Sequence, residues 1–108
     1  MAGSWAKAAD LAAFAGSDTL AVTVAGRKLG LFRVGDQYFA LDNICTHGQA
    51  LLSEGLLEDG VIECPLHAGL FDVRTGCALA APAVRDVASY QVRIDGDAIL
   101  VLLPEGVD

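Results

Sequence analysis

The chain has 108 residues and a formal charge of −7, from 14 acidic and 7 basic side chains. That length suits one domain with one small core, and the acidic balance argues against a nucleic-acid binder, whose surface would be basic. Hydrophobic residues make up 54% of the chain, but many are alanines, so large core side chains are fewer than the figure suggests.

Residues 1–16 hold a single lysine and no uninterrupted apolar stretch as long as a signal-peptide h-region, so they do not read as a signal peptide. No stretch approaches the length of a membrane span. Trp5–Lys7 opens the first expected strand, and Asp10 is placed to start a short helical turn within Ala8–Phe14. Leu20–Val24 alternates as a strand does. Ala25-Gly26-Arg27 is expected to turn, Lys28–Val34 to return as a strand, Gly35-Asp36 to turn again and Gln37–Leu41 to form a third strand. Further on, Leu56–Glu58 and Val61–Glu63 flank Asp59-Gly60, a dipeptide favoured in tight hairpins. Gly69–Val73 is expected as a short strand ended by Arg74-Thr75-Gly76, and Ala80–Val84, with Pro82, as a loop. Ser89–Ile94 and Ala98–Leu103 are expected as strands joined across Asp95-Gly96-Asp97. Eight or more short strands at this spacing predict an all-β, antiparallel sandwich or barrel.

Two short ligand pairs interrupt this pattern. Cys45-Thr46-His47 and Cys64-Pro65-Leu66-His67 stand sixteen residues apart. Each pair offers one soft thiolate and one imidazole. A structural zinc site usually draws ligands of similar type from each loop. The mixed pairing suits a two-iron cluster better, with two thiolates on one iron and two imidazoles on the other. The Asp59-Gly60 hairpin between the pairs would carry Cys64 back beside Cys45.

The C-x-H…C-x-x-H pattern resembles the signature of Rieske [2Fe–2S] proteins. The wider set Asp42-Asn43-Ile44-Cys45-Thr46-His47-Gly48, Ile62-Glu63-Cys64-Pro65-Leu66-His67, Phe71-Asp72-Val73, Thr75-Gly76 and Ala81-Pro82 is similar to the ferredoxin component of naphthalene-dioxygenase-type systems. This resemblance implies the Rieske fold, with 1–108 as a single domain and a cluster-binding subdomain, roughly Asn43–Pro82, inserted into the β-scaffold. It implies one [2Fe–2S] cluster, with Cys45 and Cys64 on the inner iron and His47 and His67 on the outer iron near the surface. Gly48 and Gly69 would let backbone approach the cluster, and Pro82 would belong to a loop covering it. The implied role is a single-electron carrier between a flavin-containing ferredoxin reductase and the Rieske centre of a terminal aromatic-ring oxygenase. The chain would itself be no enzyme, and would bind neither nucleic acid nor membrane.

High-potential respiratory members carry a disulfide between the ligand loops, and Ser and Tyr hydroxyls that donate toward the cluster and a cysteine ligand. The equivalent positions here are Ala50 and Leu66, then Gly69 and Phe71, which predicts a low potential within the family. An oxygenase needs a second iron held by two His and a carboxylate, and the cluster already takes both histidines of this chain. A structural zinc module and a Rieske subunit of another redox enzyme, such as an assimilatory nitrite reductase, stay open as alternatives. Cys77 is left over, without an intramolecular disulfide partner, which fits a reducing compartment such as the cytoplasm. Between Asp42 and Asp86, seven acids face only Arg74 and Arg85, a bias able to steer docking.

Overall fold

The computed structural model describes residues 3–43, 51–65, 69–80 and 86–104. Among them are eleven strands: β1 Ser4–Asp10, β2 Thr19–Val24, β3 Arg27–Val34, β4 Gln37–Asp42, β5 Leu56–Glu58, β6 Val61–Glu63, β7 Leu70–Asp72, β8 Ala78–Ala80, β9 Ser89–Tyr90, β10 Val92–Asp95 and β11 Ala98–Leu103. They form three antiparallel sheets, ordered β1-β11-β10, β2-β3-β4-β9 and β5-β6-β7-β8.

The second sheet is the shared wall. Strand β3 reads Arg-Lys-Leu-Gly-Leu-Phe-Arg-Val, and Leu29 to Phe32 are all buried. Successive side chains on a strand point to opposite faces, so this run is apolar on both. Leu29 and Leu31, with Ala40 of β4, join Ile99, Val101 and Leu103 of β11 in one core. Phe32 and Leu41 turn the other way and join Leu52, Ile62, Cys64, Phe71, Val73 and Val87 in a second core. The first and third sheets thus cover opposite faces of the second.

Most expected strands appear within a residue or two of their predicted bounds. Asp59 and Gly60 both take positive φ, as a two-residue hairpin between β5 and β6 requires. Ala25 and Gly26 do the same between β2 and β3, which leaves Arg27 inside β3 rather than in the turn.

The short helical turn expected at Asp10 is present as a 3₁₀ turn over Leu11–Phe14, directly after Ala9 and Asp10, which pair with β11. Two expectations need correction. The expected loop Ala80–Val84 begins one residue late, since Ala80 ends β8, and residues 81–85 lie outside the described residues. The single strand expected over Ser89–Ile94 is two strands. Ser89 and Tyr90 pair with β4 in the second sheet, whereas Val92–Asp95 pair with β11 in the first. The chain changes sheets at Gln91, so one uninterrupted β-forming run serves two layers.

Candidate metal centre

The second sheet hands over to the ligand-bearing segment at Asn43. This side chain is almost fully buried beside apolar neighbours, and every polar atom is engaged. Its backbone N–H donates to Lys28 O at 3.0 Å, and its carbonyl accepts from Leu52 N–H at 2.7 Å. Its side-chain oxygen accepts from Ser53 N–H at 2.7 Å, and its amide donates to Ser53 Oγ at 2.9 Å. Gly30 leaves the space this amide needs, since a Cβ there would come within 2.8 Å of Asn43 Oδ1. Asn43 therefore ties β3 to the 3₁₀ turn Leu52–Glu54, and it joins the two ends of segment 44–50.

Cys64 follows β6 directly and is only 1% exposed. Its N–H donates to Gly69 O at 2.8 Å, closing the base of the segment that carries His67. Gly69 is buried, and Phe71 on the neighbouring β7 belongs to the same core as Cys64. Leu52, two residues beyond segment 44–50, belongs to that core too. The bases of both ligand segments thus converge on one apolar body.

Gly55 lies against the backbone that leads into Cys64. A Cβ on Gly55 would overlap the carbonyl oxygen of Glu63, the residue before Cys64. Only a residue without a side chain fits there.

The far side is pinned in a similar way. Val73 N–H donates to Gly60 O at 3.0 Å, and Val87 N–H donates to Gly76 O at 2.9 Å. Ala78 N–H donates to an Asp86 carboxylate oxygen at 2.8 Å. Gly76 has φ +81°, and a Cβ there would overlap Val87 O. These bonds fix both ends of segment 81–85, which contains Pro82.

Of the four ligands read from the sequence, the structure places Cys64 in the second core. Cys45, His47 and His67 lie outside the described residues, as do Gly48, Ala50, Leu66 and Pro82. Cys77 is exposed. Asn43 and Gly55 were not assigned roles by the motif alone. The available signals were an amide directly after an apolar strand, and a glycine opening the hairpin that leads to Cys64.

The scaffold beside Asn43 carries its own polar chain. Tyr90 donates to Asp42 Oδ1 at 2.6 Å and accepts from Arg27 Nη1 at 3.1 Å. Burial, and then the bond to Asp42, push the Tyr90 phenol above its ordinary range. Among the described residues no helix is long and apolar enough to cross a membrane.

A buried soft thiol on an apolar floor, shared by the described residues that flank both Cys/His segments, suits a group that takes two thiolates and two imidazoles. Together with the layered β-scaffold, this defines a small all-β iron–sulfur protein. The chain belongs to the Rieske [2Fe-2S] domain family, whose model matches residues 4–91. Its cofactor is accordingly one [2Fe–2S] cluster and not a structural zinc ion.

The chain is 45% identical over 101 residues to the ferredoxin component of the naphthalene 1,2-dioxygenase system of Pseudomonas aeruginosa, covering 94% of this chain and 97% of that one. It superposes on the ferredoxin of carbazole 1,9a-dioxygenase from Nocardioides aromaticivorans with a TM-score of 0.85, at 39% identity, covering 92% of this chain and 97% of the other. A ferredoxin solved in complex with the reduced oxygenase of carbazole 1,9a-dioxygenase matches with a TM-score of 0.82 at 35% identity, covering 91% and 92% of the two chains.

Proposed function

We propose that residues 1–108 form one Rieske-type ferredoxin domain, with segment 43–82 bearing the cluster. The domain accepts single electrons from a flavin-containing reductase and passes them to the Rieske centre of a terminal aromatic-ring oxygenase. The observation that carries this reading is the likeness to the naphthalene-system ferredoxin along nearly the whole length of both chains. The substrate of the complete system is an aromatic ring, which this chain does not bind. Its place of action is the cytoplasm, in keeping with an exposed Cys77 and the absence of any expected disulfide.

Cys45 and Cys64 would hold the inner iron, and His47 and His67 the outer one. When bound, the cluster supplies one-electron redox chemistry. The chain's own part is positional. Asn43 and Ser53 hold the base of the first ligand segment, the Cys64–Gly69 bond holds the base of the second, and the surrounding apolar core keeps water from the Cys64 side.

The test combines spectroscopy with reconstitution. The purified protein should be brown and should give, when reduced, the low-average-g EPR signal of a mixed thiolate–imidazole cluster. Added to a flavin reductase and the oxygenase component of a naphthalene dioxygenase, it should be required for ring dihydroxylation. A colourless protein holding one zinc ion, or full turnover without it, would refute the proposal.

A further inference from the structure

The third sheet is two-faced. Leu57, Ile62, Phe71 and Ala78 lie across from one another in register and face the second core. The alternate residues therefore face outward. One outer row runs Leu56–Glu63–Leu70 and the next runs Glu58–Val61–Asp72, so apolar and acidic side chains alternate along both.

Leu56 is 63% exposed, the most exposed large hydrophobic side chain among the described residues, and it sits on an edge strand. Set among carboxylates, this leucine offers a partner an apolar contact inside an acidic rim. No ion pair among the described residues engages Glu58, Glu63 or Asp72, although an Asp72 carboxylate oxygen accepts from Arg74 N–H at 2.9 Å. The ion pairs among the described residues, Lys7–Asp10 and Arg33–Asp18, both lie on the scaffold. Arg74, the one cation described between residues 51 and 80, stands over the Phe39 ring at 5.4 Å and makes no ion pair.

We propose that this outer face, centred on Leu56, is a docking surface for the terminal oxygenase, at a patch where that partner presents lysines or arginines around an apolar depression. The inference rests on the carrier reading above and names where the contact forms. Like charges on two copies of the face disfavour self-association, and an anionic lipid surface is disfavoured for the same reason. Cationic groups on a protein partner would pair with these carboxylates, and an apolar depression would cover Leu56. Glu63 directly precedes Cys64, so a partner seated here lies beside the ligand-bearing segment. The oxygenase is preferred to the reductase because a related ferredoxin forms a complex with its oxygenase stable enough to be solved.

The test uses cluster-loaded protein and two variants, Leu56→Gln and Glu58→Lys, with the oxygenases of the naphthalene and carbazole systems as probes. Midpoint potential and EPR spectrum are recorded first, and both variants should match the parent, since neither side chain enters the core. Removing the apolar anchor should weaken oxygenase binding about tenfold at any salt concentration. Reversing the charge should slow transfer to the oxygenase roughly fivefold at low salt, with the difference fading as salt screens it. Reduction of the protein by the reductase should stay within about twofold of the parent.

Unchanged binding and transfer in both variants would overturn the docking face and leave the carrier reading standing. A defect confined to the reductase step would assign the face to the other partner and overturn the proposal as stated. A parent protein that reduces neither oxygenase would overturn the carrier reading and the docking face together.

Discussion

Asn43→Ala is expected to be among the most damaging substitutions outside the ligands. Asn43 carries two side-chain hydrogen bonds, from Ser53 N–H at 2.7 Å and to Ser53 Oγ at 2.9 Å. Each is worth about 1 kcal/mol, and the Ser53 N–H left beside the core without a partner costs about 1 kcal/mol more. The vacated volume lies against Gly30, which has no side chain to move into it. The expected loss is about 3 kcal/mol, which for a chain of this size lowers the melting temperature by roughly 10–20 °C. Ser53→Ala keeps the Ser53 N–H to Asn43 Oδ1 bond and should cost about 1 kcal/mol. The assay is thermal unfolding of cluster-loaded protein, followed in parallel by far-UV circular dichroism and by loss of visible colour. In Asn43→Ala, colour should be lost at a lower temperature than in the parent, because this residue joins the ends of the segment bearing Cys45 and His47. An Asn43→Ala protein that melts within about 2 °C of the parent, or a Ser53→Ala protein as unstable as Asn43→Ala, would refute the reasoning.

Gly55→Ala places a methyl group against the Glu63 carbonyl, where only backbone is available to yield. It should cost about 2 kcal/mol or more and lower the iron bound per chain, measured by metal analysis of freshly purified protein. If Gly69 and Phe71 stand where high-potential members carry hydroxyl donors, as the resemblance implies, the midpoint should fall in the lower part of the range known for Rieske centres, about −150 to +300 mV. Phe71→Tyr should raise it by roughly 60 mV if the new hydroxyl favours the reduced state by about 1.4 kcal/mol, and voltammetry decides. Tyr90 is held protonated by burial and by its bond to Asp42, so its folded-state pKa lies above the unfolded value. The stability it contributes is present below the unfolded pKa of about 10 and is lost as pH rises through the folded value. Tyr90→Phe should flatten the alkaline limb of a stability–pH curve, and an unchanged limb would remove Tyr90 as its source.

The scaffold was legible because its strands alternate and its turns are marked by glycine. Asp59-Gly60 shows this well, since the dipeptide alone fixed the β5–β6 hairpin that the structure contains. The break at Gln91 was not legible. Ser89–Ile94 forms strand throughout apart from that one residue, and nothing local says that its two halves pair with different sheets. Strand β8 was missed for a related reason. Ala78-Leu79-Ala80 has weak β-propensity, and its pairing with β7, interrupted by an irregularity, is imposed by tertiary context. The ligand chemistry was carried by residue type and spacing. The clamp at Asn43 was not, because its partners Lys28 and Ser53 lie far from it along the chain or across the ligand segment.

The third sheet separates two properties by residue parity. Its strands are only three residues long, so each offers one central residue and two that face the other way. In β6 the central residue is Ile62, fully buried in the core that includes Cys64, while Val61 and Glu63 face outward. In β7 the central residue is Phe71, again fully buried, with Leu70 and Asp72 outward. Substitutions at Ile62 or Phe71 therefore act on packing around the thiol, and through it on cluster retention and potential. Substitutions at Leu56 or Glu58 act on what the protein meets. An electron carrier needs this separation, because its potential must suit the redox chain while its surface must suit particular partners. A pleated sheet supplies it geometrically, since neighbouring residues on one strand answer to different environments. A one-residue slip in the β5–β6 register would place Glu63 against the core and Ile62 in solvent, losing both properties at once. The positive φ values of Asp59 and Gly60 fix the two-residue turn and with it that register.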